Sequence, residues 1–344
     1  MKRLKVIQIG IMHDHATATL DAMKMHSDEF ELLAICPEGG SPLEYEDFDG
    51  KLADVKNTYS DIPFMTPEEG LKLPGLDGVI IEARERDLTY YTVMALNAGF
   101  PVHMDKPGGE NTEEFNAMVD LAEKKGLVFS LGYMYRQNPA VVKAKQLIKE
   151  GAIGEILNIE AHMDCGHPVV KRKWLGNYKG GMMFFLGCHL IDLIVGFQGE
   201  PIEVIAKNTS TNIDGVTSED YGFALLRYEH GWSFAKTSAN EPGGFYRRQL
   251  VIIGTKGQIE IKPLEENTFG PGGELTCDMR LVDAKNLEDG GWNAKGVTTK
   301  FGPHERYYPM LHDFATYVNG EKKNPYTYDY EKLVYKVLSA ACGK

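Results

Sequence analysis

The chain has 344 residues, 43% of them hydrophobic, and a net charge of −12. That is enough apolar material for large cores and two domains, while the acidic balance argues against nucleic acid or an anionic membrane as a partner. Five scattered cysteines, odd in number and without a CxxC pair, read as free thiols in a reducing compartment. With no signal peptide or membrane-length apolar run in view, a cytoplasmic location is expected.

The first 130 or so residues alternate short apolar runs with helical patterns. Strands are predicted at 4–9, 31–36, 78–83, 101–104 and 127–131, and helices at 16–26, 88–97 and 112–125. Asn111 and Glu114 fit a capping box for the last helix, which ends at Gly126. Strands separated by helices imply a parallel, doubly wound sheet over residues 1–132. After Tyr135-Arg-Gln-Asn-Pro139 the pattern changes. A helix at 140–150 leads to a strand at 156–164, and an apolar helix covers about 182–197. Strands at 220–228, 232–238, 248–254 and 258–261 then follow with tight turns between them. Residues 263–297 read as long surface loops around a strand at 274–282, and helices at 304–319 and 330–342 close the chain. Residues 133–344 are therefore expected to form an α/β domain with an open, mostly antiparallel sheet.

The most informative segment is Asp105-Lys106-Pro107, at the end of the fourth strand and followed by Gly108-Gly109. Proline keeps residue 106 out of the helical region, so a lysine leaves a strand end in an extended direction, where open α/β sheets bind ligands. The loop Gly10-Ile-Met-His-Asp-His15 lies between a strand and a helix, a geometry suited to a dinucleotide pyrophosphate. Its glycine pattern is incomplete, with Met12 and His15 where glycines would stand. His13 and His15 can compensate by donating to phosphate, or can chelate a metal. Glu38, after the second strand, is placed to accept from an adenosine ribose and to repel a 2′-phosphate, which favours NAD over NADP.

In the second region, His189 and Asp192 are three apart on an almost wholly apolar helix, where both require partners. They serve either structure or catalysis. His162 and Asp164 share one face of their strand, with His167 close behind, a spacing that suits a polar substrate or a divalent metal. Arg136 lies where the two regions meet and can anchor hydroxyl or carboxylate groups.

Taken in order, several stretches resemble the glucose–fructose oxidoreductase / inositol dehydrogenase (Gfo/Idh/MocA) family. They include Ala95-Leu-Asn-Ala-Gly99, Asp105-Lys106-Pro107, Gly132-Tyr-Met-Tyr-Arg136, Gly151-x-x-Gly154-Glu155, Gly180-Gly181 with Gly187-x-His189-x-x-Asp192, and Gly254-Thr-Lys-Gly257. The resemblance implies a Rossmann domain followed by an α/β domain whose open sheet forms a homo-oligomer, a dimer or tetramer. It implies Lys106 and His189 as catalytic groups. Arg136, His162, Asp164 and Asp192 become candidates for substrate binding. Gly10, Met12, His13, His15, Glu38, Arg84, Glu85, Asp105 and Lys106 are candidates for binding NAD. No metal site is assigned. Two departures bear on activity: Phe185 replaces an Asp that the family commonly has, and Arg84-Glu85-Arg86-Asp87-Leu88 replaces a Pro-Asn-x-x-His run.

The function expected from these residues is NAD-dependent hydride transfer with a secondary alcohol of a small sugar-like substrate. His189 would take the hydroxyl proton and Lys106 would polarise the oxygen. Two rival readings are a metal-dependent lyase, hydratase or epimerase acting on an oxidised sugar, with the ion at the His162/Asp164 strand end, and a non-catalytic sugar or nucleotide sensor.

Overall fold

A computed structural model describes residues 2–267, 274–283, 291–292 and 294–344. The chain divides into two compact units, Met1–Met134 with Tyr307–Tyr335, and Tyr135–Arg306 with Lys336–Lys344. Residues 307–335, expected in the second domain, belong to the first.

In the first unit, strands β1 (Leu4–Ile9), β2 (Phe30–Cys36), β3 (Gly78–Ile81), β4 (Val102–Met104) and β5 (Phe129–Leu131) form a parallel sheet in the order β2-β1-β3-β4-β5. This is the doubly wound sheet expected from the alternating pattern. Apart from the first half of β2, the strands are almost completely buried, as a sheet covered on both faces requires. Helix Ala16–Met25 packs with Tyr308–Val318, and helix Leu88–Asn97 with Thr112–Lys125. Asn111 caps the last of these by accepting from the amides of Glu113 and Glu114, and Gly126 ends it in the left-handed conformation.

The returning segment is tied in by specific contacts. Phe314 lies against His103 of β4, Asn324 donates to Phe129 of β5, and the Tyr335 hydroxyl donates to the Gly109 carbonyl. Helix Phe48–Thr58 is an element the sequence reading omitted. Among its residues Val55 is the buried one, so its apolar period is too weak to register, although Asp47 caps it.

The second unit carries β6 (Ile156–Asp164), β7 (Glu203–Ala206), β8 (Tyr221–Tyr228), β9 (Gly231–Ser238), β10 (Gln249–Gly254), β11 (Gly257–Ile261), β12 (Glu266–Asn267), β13 (Leu275–Val282) and β14 (Val297–His304). The order is β12-β13-β11-β10-β6-β9-β8-β7, with β14 on β13. Every pairing is antiparallel except β6 with β9. Helices Pro139–Lys149 and Cys188–Gln198 pack on one face, where Ile159, Ala161, Ala235, Leu250 and Ile252 are buried. Phe223, Leu225, Phe234, Val251 and Ile253 alternate onto the other face and remain partly exposed. The expected apolar helix divides in two: Met183–Gly187 is a wide π turn, and the regular helix begins at Cys188. The closing helix expected at 304–319 starts at Tyr308, because β14 pairs residues up to His304 with β13. Part of the loop region expected at 263–297 lies outside the described residues.

Gly10 closes the turn after β1 with φ +97°, and a Cβ there would sit 2.2 Å from the Ala83 amide nitrogen. Gly10→Ala therefore meets both an unfavourable backbone conformation and a backbone clash. A loss of about 3 kcal/mol or more is expected, read as a lower urea midpoint at unchanged slope.

Candidate functional site

At the carboxyl edge of the parallel sheet, hydrogen bonding continues one residue beyond the central strands. The Glu82 amide donates to Ile9, Asp105 to Ile81, Gly10 to Cys36 and Gly132 to Met104. Because Ile81 pairs with Met104, the next residues on these neighbouring strands, Glu82 and Asp105, are brought side by side. This edge contains the reversal of strand order around β1, where doubly wound sheets bind ligands.

The loop after β1 folds over the two carboxyls. His13 and His15 approach Asp105 Oδ2 through their Nδ1 atoms, at 3.2 and 2.9 Å. His13 Nδ1 is also 3.4 Å from Glu82 Oε2, and its Nε2 is 3.0 Å from the Lys106 carbonyl oxygen. Thr19 donates to Glu82 Oε1, and the Lys106 amide donates to Asp105 Oδ1. Lys106 itself is 1% exposed. Burial pushes the His13 imidazole down to about 3, against the attraction of Asp105. Burial and the neighbouring Asp105 raise Glu82 well above the usual carboxyl range. Burial would raise Asp105 as well, but His13, His15 and Lys106 hold it well below that range. Glu85, also buried, has Oε1 3.9 Å from His13 Nε2.

Glu38, at the end of β2, is engaged by the loop after β1. Its carboxylate accepts from the amides of Ile11, Met12 and Arg84, at 2.7, 3.1 and 3.1 Å. It thereby occupies loop amides that a phosphate would otherwise use. Arg84 is directed to Glu46 (2.7 Å) and to the Gly39 carbonyl (3.0 Å). A cavity of about 660 Å³ opens at this end of β2, lined by Glu38, Gly39, Met65, Pro67, Tyr90 and Tyr91 among others.

In the second unit, Arg136 grips Asp192 through Nε at 3.0 Å and a terminal nitrogen at 2.7 Å. Asp192 is therefore engaged by Arg136, where the sequence spacing had suggested His189. The His189 ring is 1% exposed and stands edge-on to Tyr135, with centroids 5.0 Å apart. The Tyr135 hydroxyl donates to Glu265, which also receives Arg248 and Arg306. On β6, Asp164 is bound by Lys236 at 2.8 Å, so an ammonium occupies the position a metal would need beside it. His162 is partly exposed and stands edge-on to Phe234.

Sequence reasoning missed Glu82, Glu46, Lys236, Arg248 and Glu265. Glu82 was the readable one, since it ends an apolar strand just as Asp105 does. The others act through pairings between distant segments, which local pattern does not carry.

Three kinds of similarity bear on this arrangement. A family described as "Oxidoreductase family, NAD-binding Rossmann fold" matches residues 4–133, and a "GFO/IDH/MocA C-terminal domain" matches residues 141–260. The uncharacterized oxidoreductase YhhX of Escherichia coli is 31% identical over 272 residues, 75% of this chain and 76% of that protein. The scyllo-inositol 2-dehydrogenase (NADP(+)) IolW of Bacillus subtilis is 25% identical over 244 residues, 70% of this chain and 64% of that protein. Among solved structures, UDP-N-acetylglucosamine 3-dehydrogenase GnnA from Acidithiobacillus ferrooxidans superposes with a TM-score of 0.71 at 17% identity, covering 99% of this chain and 96% of that one. Among the described residues no helix is long and apolar enough to cross a membrane.

The Glu265 cluster gives a pH dependence with a definite sign. Burial alone would raise this carboxyl, but Arg306 and Arg248 outweigh it and bring the group down to about 2. A carboxyl more acidic when folded than unfolded stabilises the fold above its unfolded value, and that stability is lost as pH falls toward the folded one. Wild type should therefore lose about 3 kcal/mol from this group between roughly pH 5 and pH 2. Thermal melts of Glu265→Gln should start lower at neutral pH and fall less steeply across that window.

Proposed function

Because the chain belongs to the GFO/IDH/MocA oxidoreductase family, we propose that it is an NAD-dependent dehydrogenase of a sugar, cyclitol or glycoside. The observation that carries this reading is the cavity of about 660 Å³ beside Glu38. It lies at the carboxyl end of β2, where adenosine is held in doubly wound sheets. A carboxylate there accepts from ribose hydroxyls and repels a 2′-phosphate, so NAD is preferred. The adenosine side thus fits the cofactor. Along the loop the fit is poorer, since Glu38 already takes the Ile11 and Met12 amides and side chains replace two glycines. Arg84, Glu85, His13, His15 and Asp105 complete the candidate surface. The relatives named as scyllo-inositol and UDP-N-acetylglucosamine dehydrogenases support a ring-bearing alcohol as substrate.

When bound, the nicotinamide supplies the hydride acceptor or donor. The remaining work falls to the chain's own side chains. His189 takes the hydroxyl proton as general base, and Lys106 polarises the oxygen on which negative charge develops. Arg136 and Asp192 cancel each other's charge, and in doing so fix the helix that carries His189. His162 and Asp164 remain candidates for gripping further hydroxyls, Asp164 by orienting the Lys236 ammonium.

The partly exposed face of the second sheet, with Phe223, Leu225, Phe234, Val251 and Ile253, suits a homo-oligomer interface. Light scattering at micromolar chain concentration should give a dimer or tetramer; a monomer contradicts this assignment.

Activity is tested with NAD⁺ and a panel of cyclitols and aldoses. Lys106→Ala and His189→Ala should each lower kcat/KM by about 100-fold on any alcohol the wild type oxidises. Calorimetry should show NADH binding more tightly than NADPH. The absence of heat with either nucleotide, or full activity in both variants, refutes the reading.

A further inference from the structure

We propose that His13, His15, Asp105 and Glu82 form a binding site for one divalent first-row transition-metal ion at the carboxyl edge of the parallel sheet. This goes beyond the hydride-transfer reading, although it draws His13, His15 and Asp105 from the surface assigned there to the nucleotide, and it lies apart from the His162/Asp164 strand end, where Lys236 already supplies the cation.

The argument begins with the His13 ring. Its Nε2 is 3.0 Å from the Lys106 carbonyl oxygen, which can only accept, so Nε2 carries the proton. A neutral ring that donates from Nε2 presents a lone pair at Nδ1. Nδ1 itself lies 3.2 Å from Asp105 Oδ2 and 3.4 Å from Glu82 Oε2. The His15 amide donates to this same nitrogen at 3.2 Å, a bond that an ion bound there would replace. A second imidazole nitrogen, His15 Nδ1, lies 2.9 Å from Asp105 Oδ2. Atoms rich in lone pairs thus converge in a buried space, and Glu82 Oε2, fully buried, accepts no hydrogen bond there.

The spacing matches coordination chemistry. Donor atoms about 2.0–2.1 Å from a tetrahedral ion are about 3.3 Å from one another. One ligand atom from each of His13, His15 and Asp105 lies within 4.8 Å of the others, and the pairs given above span 2.9–3.4 Å. Two imidazoles with carboxylate oxygens select Zn²⁺, Fe²⁺ or Co²⁺ over Mg²⁺ or Ca²⁺. The candidate ligands are themselves held in place: the far nitrogen of His13 donates to a backbone carbonyl, and Glu82 Oε1 is held by the Thr19 hydroxyl. The His15 side chain is 11% exposed, whereas those of His13, Asp105 and Glu82 are fully buried. An open coordination position would therefore face the His15 side, for water or an anionic oxygen such as a phosphate.

The test uses the full-length chain, stripped of metal by chelator and titrated with Co²⁺, then with Zn²⁺ in competition. One Co²⁺ per chain is expected, with visible d–d absorption, displacement by Zn²⁺ and a raised Tm. His13→Ala and His15→Gln should weaken binding by at least ~10-fold, while Asp164→Asn leaves the stoichiometry at one. His15 lies at the edge of the cluster, so its variant remains informative if His13→Ala fails to fold. No Co²⁺ or Zn²⁺ binding by wild type at about 100 µM ion, or full binding retained in His15→Gln, overturns the proposal. Binding lost in Asp164→Asn but kept in the histidine variants overturns it too, by moving the ion to β6. NADH affinity, measured on the metal-free chain, tests the hydride-transfer reading whatever the metal result.

Discussion

Two acidic residues set side by side by sheet register are the constraint around which the first unit is organised. Ile81 pairs with Met104, so Glu82 and Asp105 follow on adjacent strands with no room to separate. Two like charges about 4 Å apart would repel by about 4 kcal/mol even at an effective dielectric of 20, and burial adds to that cost, so Glu82 is raised well above the usual carboxyl range while Asp105 is held well below it. The neighbourhood is arranged to meet it. Two histidines come from the loop after β1, a hydroxyl from the first helix, and the Lys106 amide from the strand end itself. Side chains at 12, 13 and 15, which look like damage to a glycine loop, are partly explained by this. A loop of glycines would leave the carboxyl pair unanswered.

The second unit meets a similar difficulty differently. Its helix Cys188–Gln198 is buried along most of its length yet carries Asp192, and a lone buried carboxylate is costly. Arg136 answers it with a two-pronged contact. Beside it, Glu265 is surrounded by Arg248, Arg306 and the Tyr135 hydroxyl. The Tyr135 ring, whose hydroxyl belongs to that cluster, is also the edge-on neighbour of His189. The residues that keep the interior electrically balanced are therefore the same ones that fix the imidazole's surroundings.

Much of the fold was legible because period and length are local properties. The strand at 156–164 and the alternation of the first 130 residues are read directly from apolar spacing, and the cap at Asn111 from residue type. What failed was non-local or weakly amphipathic. Helix Phe48–Thr58 buries too little to show a period, and β14 is defined by β13 rather than by its own residues. The same division runs through the site. Lys106, His189 and the loop histidines stand out as candidates because they are unusual residues at strand and helix ends. The pairing of Arg136 with Asp192, and the seating of Glu38 on the loop amides, depend on backbone paths that no short window encodes.

The return of residues 307–335 to the first unit has a consequence for how the chain is made. Phe314, Asn324 and Tyr335 reach β4, β5 and the glycines after Lys106, so part of that unit's covering is encoded some 200 residues after its last strand. At synthesis rates of about 5–20 residues per second, roughly 10–40 s separate the emergence of β5 from that of its cover. During that interval the face that receives Phe314 is bare, and residues 135–306 are translated before it closes. Truncation near residue 134 would reproduce this state permanently. The first unit, though contiguous in its strands, is therefore not encoded by a single contiguous stretch of the gene.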